Sequence, residues 1–255
     1  MKSGQVRPGR FSKPGRKDHL VWYFSGGKLR PDGREGVIAG PLKGDLLIDR
    51  DKELCKRIHE QTEFGVRCES YDVGSRRSDD DRIPHAFIQG VYKYAQENGY
   101  RWLHLVGFSG GGAVASSQLV YHSNKNGKMV QSLVIIGGPI AEHTGDPKGC
   151  VPHTNAADYA DRIAARTLLI YGKQDPLRRG IAAWKEKNDR AELFYYEGDH
   201  DFGKRGERSF ERVSKKVIDW LKKSPDQGDR SIRLRMLRTR TEKRRRRAKK
   251  QVGTR

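Results

Sequence analysis

Long apolar runs are missing from this chain. Stretches such as Leu133-Val134-Ile135-Ile136 fall far short of the roughly twenty residues a membrane helix needs. The N-terminus has no apolar core of the kind a secretory leader carries, so the chain reads as having no signal peptide. Cysteine is scarce: Cys55, Cys68 and Cys150 are the only three, with no C-x-x-C pair. An odd count scattered in this way fits a reducing cytoplasm, with Cys150, in an expected loop, the most exposed. Metal-ligand spacing is also lacking. None of the eight histidines falls in an H-E-x-x-H or similar pattern, so no metal is expected. Apolar residues make up only 35% of the 255, while charged ones reach 33%. At this length one domain with a sizeable core is the default.

Acidic residues are outnumbered, and unevenly so. The formal charge is +20. Residues 1–18 hold six Lys/Arg and one Asp, and residues 230–255 hold thirteen Lys/Arg and one Glu, so the ends carry +5 and +12. The middle is left at about +3. The expected organisation is a basic N-terminal arm (1–18), a globular domain (19–228) and a basic tail (229–255).

Strand and helix signals alternate through that middle, which is the pattern of a parallel sheet. Leu20 to Phe24 is a short aromatic and β-branched strand. Asp51 to Phe64 reads as a helix with Leu54, Ile58 and Phe64 on one side. Val66 to Val73 reads as a strand. Ile83 to Asn98 is helical, with Phe87, Val91 and Tyr94 at 3.6-type spacing and Gly99 as its stop. Arg101–Val106, Gln131–Ile136, Arg166–Tyr171 and Glu192–Tyr196 are further strands. Asn155–Ile163, a segment around Ile181–Trp184, and Ser209–Leu221 are the remaining helices. Phe210, Val213, Val217, Trp220 and Leu221 share one face of the last.

The most informative residues are Gly107-Phe108-Ser109-Gly110-Gly111, between an apolar strand and an Ala/Gly-rich helix. A serine on a sharp strand-to-helix turn has a strained backbone and an exposed hydroxyl, and its neighbours two positions away must be small. Gly107 and Gly111 satisfy that. A nucleophilic serine also needs a base, and the base needs an orienting carboxylate. Asp175 and His200 each fall a few residues past a later strand, in the order Ser, Asp, His. Asp175 would fix the imidazole tautomer, and His200 would take the Ser109 proton. Asp199 and Asp201, beside His200, are alternative acids. For the oxyanion, the N–H of Gly110 at the helix start and that of Gly27 in the turn Ser25-Gly26-Gly27 are the expected donors, with Gly26 the alternative.

With these residues in place the chain resembles the α/β-hydrolase superfamily over roughly residues 19–223. The resemblance rests on Phe24-Ser25-Gly26-Gly27, Gly107–Gly111, Asp175 and Gly198-Asp199-His200-Asp201-Phe202. It implies a mostly parallel, doubly wound α/β sheet of about six strands, flanked by helices on both faces, with a serine nucleophile and no cofactor. Many members carry His-Gly where Ser25-Gly26 stands here. The usual first antiparallel hairpin is not legible either, which implies a minimal version of the fold.

Loops 28–45 and 139–154 follow strands on the face where ligands bind in such sheets. They read as walls of a substrate site, with 139–160 as a small polar cap, or else as plain surface connections. Glu142, His143, Thr144, Asp146 and Lys148 make that cap too polar for a lid acting at an oil surface. The expected function is hydrolysis of small to medium carboxylic esters, with thioesters and peptides open to the same machinery. A competing reading is an idle hydrolase scaffold that binds nucleic acid or an anionic surface. The tail can do so non-specifically, although it has no aromatic residue to stack on bases and can equally be a solubilising segment. A third reading, dinucleotide binding through Gly110-Gly111-Gly112-Ala113-Val114-Ala115, lacks the acidic residue near Ile136 that a ribose contact needs.

Overall fold

The computed structural model describes residues 11–13, 16–25, 40–41, 49–72, 85–109, 130–138, 160–161, 163, 165–200 and 206–223. The described residues through Leu221 belong to one compact unit. Eight strands are described: β1 (Phe11–Lys13), β2 (Arg16–Ser25), β3 (Gly40–Pro41), β4 (Phe64–Asp72), β5 (Trp102–Phe108), β6 (Val130–Ile136), β7 (Arg166–Gly172) and β8 (Glu192–Tyr196). Four α-helices accompany them: α1 (Asp49–Thr62), α2 (His85–Glu97), α3 (Ile181–Lys187) and α4 (Gly206–Lys222).

Six strands run parallel in the order β4-β2-β5-β6-β7-β8. The chain builds outward from β2 to β4, then returns to lay β5 on the other side of β2 and continues to β8. That reversal makes the gap between β2 and β5 the switch point, where ligands bind in open parallel sheets. The pairing Phe24↔Gly107 brings the carboxyl ends of these two strands level there.

Each strand alternates its side chains between two buried layers. Leu20, Trp22, Phe24, Leu103, Leu105, Leu133, Ile135, Leu169 and Tyr171 pack with Val91, Tyr92 and Ala95 of α2 and Trp184 of α3. The intervening residues Val21, Tyr23, Val66, Val106, Val134 and Ile170 pack with Leu54 and Ile58 of α1 and with Val213, Val217 and Trp220 of α4. A sheet covered on both faces is what all-parallel pairing requires. Burying one such Val or Leu side chain contributes about 1.5–3 kcal/mol. The covering helices therefore hold the sheet far more firmly than exposed ion pairs such as Lys93–Glu97 can.

Several elements differ from the sequence reading. The stretch expected as a basic arm contains β1, antiparallel to β4, and the first residues of β2. The short β3 lies in the 28–45 stretch and also pairs antiparallel with β4. Phe64 does not end α1. Glu63, at φ 59°, breaks the helix, and Phe64 opens β4 while packing into the same apolar layer. Helix α2 stops as expected: Gly99, at φ 75°, turns the chain out, and the Tyr100 N–H bonds back to the Ala95 carbonyl. Two of the three scattered cysteines are joined, with Cys55 of α1 disulfide-bonded to Cys68 of β4. Of the Asn155–Ile163 helix only residues 160–161 and 163 are described, and 160–161 form a turn of 3-10 helix. Cys150, most of the cap and the tail from residue 224 lie outside the described residues. No described helix is long and apolar enough to cross a membrane.

Candidate active site

Ser109 follows β5 directly and holds φ at 58°. A positive φ is costly for a residue with a Cβ. Here it turns the hydroxyl out of the sheet's carboxyl edge, and Ser109 is partly exposed while Leu103 to Phe108 below it are buried. Its Oγ lies 2.9 Å from His200 Nε2. The other ring nitrogen, His200 Nδ1, lies 3.1 Å from Asp175 Oδ2.

Asp175 is 1% exposed and is held from both sides. It caps the short 3-10 helix Pro176–Gly180, and its Oδ1 accepts the Leu177 N–H at 2.9 Å. An ionised carboxylate can only accept, so the proton between it and His200 sits on Nδ1. That leaves Nε2 with its lone pair toward the serine hydroxyl, which is the tautomer a general base needs. The His200 side chain is about one-quarter exposed, at 26%, and the ring of Phe108 stacks on it at 5.5 Å.

The loops bearing Asp175 and His200 are laced together. The Gln174 N–H donates to the Gly198 carbonyl at 3.0 Å, and the Gly198 N–H donates to Gln174 Oε1 at 2.9 Å. The Tyr196 hydroxyl donates to the Asp199 carbonyl. Two glycines make the approach possible. A Cβ on Gly172 would stand 2.3 Å from the Gly198 oxygen. Gly137 follows β6 at φ 56°, and a Cβ there would stand 3.0 Å from His200 Nδ1 and 3.1 Å from Asp175 Oδ2. The buried Tyr171 hydroxyl holds the next carbonyl, that of Gly138, at 2.5 Å. Burial, and then the nearby Asp175, push the Tyr171 phenol well above its ordinary pKa, so it stays a donor.

The structure thus brings Ser109, His200 and Asp175 together, and the carboxylate on Nδ1 is Asp175. The alternative acid Asp201, the expected oxyanion donors Gly110 and Gly27, and the alternative Gly26 lie outside the described residues. The sequence reading missed Gly137, Gly172 and Gln174. Gly137-Gly138-Pro139 signals a turn, but nothing local shows that an imidazole will rest on it.

A family model described as "Serine hydrolase (FSH1)" matches residues 50–224. No curated protein matches the chain. Solved structures with similar folds include an esterase from the archaeon Pyrobaculum calidifontis (15% identity, 84% of this chain and 87% of that one, TM-score 0.53). Est1E from Butyrivibrio proteoclasticus is another (14%, 81% and 90%, TM-score 0.53). A third is the thioesterase domain from the curacin biosynthetic pathway (14%, 81% and 93%, TM-score 0.52). At these identities the likeness speaks for the fold, that of the α/β hydrolases.

Proposed function

The chain belongs to the serine hydrolase (FSH1) family, and from that premise we propose that Ser109, His200 and Asp175 are the catalytic triad of an enzyme cleaving small to medium carboxylic esters. The observation that carries this reading is the continuous contact from Ser109 through both nitrogens of His200 to a buried, N–H-supported Asp175. Ser109 Oγ attacks the ester carbonyl carbon while its proton passes to His200 Nε2. The resulting oxyanion is held by the N–H groups of Gly110 and Gly27. The tetrahedral adduct collapses, the alcohol leaves with the proton from His200, and Ser109 keeps the acyl group. Water then attacks, giving its proton to His200, and Ser109 departs with that proton as the carboxylic acid is released.

The test is pre-steady-state hydrolysis of p-nitrophenyl esters of increasing acyl length, beside a matched thioester. A burst of nitrophenolate equal to the enzyme concentration, strongest on short and medium chains, is expected. A folded enzyme that turns over no ester or thioester would contradict the reading.

The same proposal takes residues 19–228, together with β1 and the start of β2 that precede them in the sheet, as the hydrolase domain and 229–255 as a basic tail. The +12 charge of residues 230–255 favours weak, salt-sensitive attraction to nucleic acid or an anionic surface as an added property. Duplex DNA binding at low salt, lost on removing the tail, would support it, and no binding by the intact chain would sink it. The cytoplasm is the proposed compartment. The Cys55–Cys68 bond is the observation against it. Three free thiols in protein unfolded directly from cells would favour the cytoplasm, and one would overturn it.

A further inference from the structure

Strand β6 runs into Gly137-Gly138, and both glycines are buried. Gly137 takes φ 56°, and neither residue has a side chain with which to hold the turn in place. The neighbouring strand β7 holds it instead, at two points. The Gly137 N–H donates to the Ile170 carbonyl at 2.8 Å. The hydroxyl of the next residue, Tyr171, donates to the Gly138 carbonyl at 2.5 Å. Tyr171 is fully buried, and its ring packs in the layer that contains Phe24, Leu169 and Trp184. Just past Tyr171, the end of the same strand delivers Asp175.

The other side of the turn lies against the pair formed by His200 and Asp175. The point one bond from the Gly137 Cα, where a Cβ would stand, is already 3.0 Å from His200 Nδ1 and 3.1 Å from Asp175 Oδ2. No water fits between the turn and the bond that joins the pair. A dry wall matters there. Water competes for the Nδ1–H and for the carboxylate, and a polar bond is stronger where water is kept out. The wall in turn depends on Tyr171. The Gly138 carbonyl is buried, and a buried carbonyl without a donor is costly. Without the Tyr171 hydroxyl it turns toward water, and the Gly137 backbone moves with it.

We propose that Tyr171 is a positioning residue for His200. By holding the Gly138 carbonyl it keeps Gly137 pressed on the His200–Asp175 pair, and so keeps water off the bond that orients the imidazole toward Ser109. This rests on the reading of Ser109, His200 and Asp175 as a triad. The one hydroxyl proton of Tyr171 is committed to Gly138, so Tyr171 acts on the pair through the turn rather than by donating to Asp175.

The test compares Tyr171→Phe, which keeps the ring and deletes the hydroxyl, with the wild type and with Ser132→Ala. The last variant removes a buried serine–histidine bond near the amino ends of β5 and β6 and controls for a loss of stability alone. Tyr171→Phe is expected to lower kcat for a p-nitrophenyl ester about 3–30-fold by displacing the base. KM should stay within about 3-fold, because the contacts that bind the ester are untouched. Ser132→Ala should keep kcat within about twofold. The second readout is proton NMR of the His200 Nδ1–H, which a carboxylate partner shifts far downfield. That proton should exchange with water faster in Tyr171→Phe and at the wild-type rate in Ser132→Ala. A folded Tyr171→Phe protein with unchanged kcat or unchanged proton exchange would overturn the proposal. So would a loss confined to KM, or an equal loss in Ser132→Ala. If the wild type shows no Ser109-dependent turnover, the triad reading fails separately, and the proton exchange still decides whether Tyr171 guards the pair. Should Tyr171→Phe not fold, amide exchange at Gly137 in the wild type takes its place. Protection matching the amides of β6 and β7 is expected of a pinned turn, and rapid exchange there would overturn the proposal.

Discussion

Two serine–histidine pairs sit on this one sheet, at opposite ends of its strands. At the carboxyl edge Ser109 Oγ meets His200 Nε2 at 2.9 Å, and near the amino edge Ser132 Oγ meets His104 Nδ1 at 2.8 Å. The distances scarcely differ. The surroundings do. Ser109 is partly exposed on a strained backbone, while Ser132 and His104 are both 2% exposed and paired across β5 and β6, beside a shift of register between Leu103 and His104. The far nitrogen of His200 faces a carboxylate. The far nitrogen of His104 faces another imidazole, His19 Nδ1, at 2.9 Å, and the carboxylate of Asp18 lies beyond it, 3.6 Å from His19. Burial, helped by the charge of His19 and then Arg166, pushes the pKa of His104 down to about 3. A histidine that reluctant to take a proton cannot serve as a general base at neutral pH. Contact between Ser and His is therefore cheap in a folded chain. Exposure, an anchored carboxylate and a strained turn are what separate a candidate nucleophile from a core hydrogen bond.

The largest expected effect breaks the comparison at its root. Ser109→Ala should lower ester turnover by about 10⁴-fold or more. Ser132→Ala should leave it within about twofold and cost about 1–3 kcal/mol in urea unfolding, because a buried His104 nitrogen loses its partner. Next comes the carboxylate. Asp175→Asn should cost about 10³–10⁴-fold in kcat by favouring the wrong imidazole tautomer, with KM little changed. The floor beneath the pair follows. Gly137→Ala forces a Cβ to within 3.0 Å of His200 Nδ1 at a φ of 56°, and kcat should fall about 10–100-fold through displacement of the base.

The smallest effect on turnover belongs to the amino edge, where the expected change is one of stability with pH. His104 is neutral when folded, with a pKa of about 3 against an ordinary 6.5. Between those values the unfolded chain binds the extra proton, so this group's contribution to stability is present above pH 6.5. It is lost as pH falls toward 3, by up to about 1.4 kcal/mol per unit. His104→Phe, which can stack on Phe64 and His19 as the native ring does, should flatten that slope without altering neutral-pH turnover. Urea unfolding at a series of pH values reads both.

Much of the carboxyl edge was legible in the sequence because its parts are local. Gly107–Gly111 marks a turn by its own small residues, and Asp175 and His200 each follow a recognisable apolar run. The alternation of strands and helices was legible for the same reason, since period and punctuation are local properties. The amino edge was not. His19 and His104 are 85 residues apart, and nothing around either announces the other. Asp51 looked like the start of a helix, and its bond to the Ser25 hydroxyl depends on where α1 docks. Strand β1 escaped notice because three residues among lysines and arginines carry no alternation to read. Phe64 was misassigned because its apolar layer is shared by α1 and β4, so its spacing suited the helix although its backbone belongs to the strand.

The most direct measurement is labelling with a fluorophosphonate probe, followed by peptide mapping, on the wild type and on Ser109→Ala. One label per chain, on Ser109, that disappears in the variant while Ser132 stays unlabelled is the expected result. A folded wild type that takes no label, or a variant that is still labelled, would contradict the claim that the environment at the carboxyl edge activates Ser109 alone.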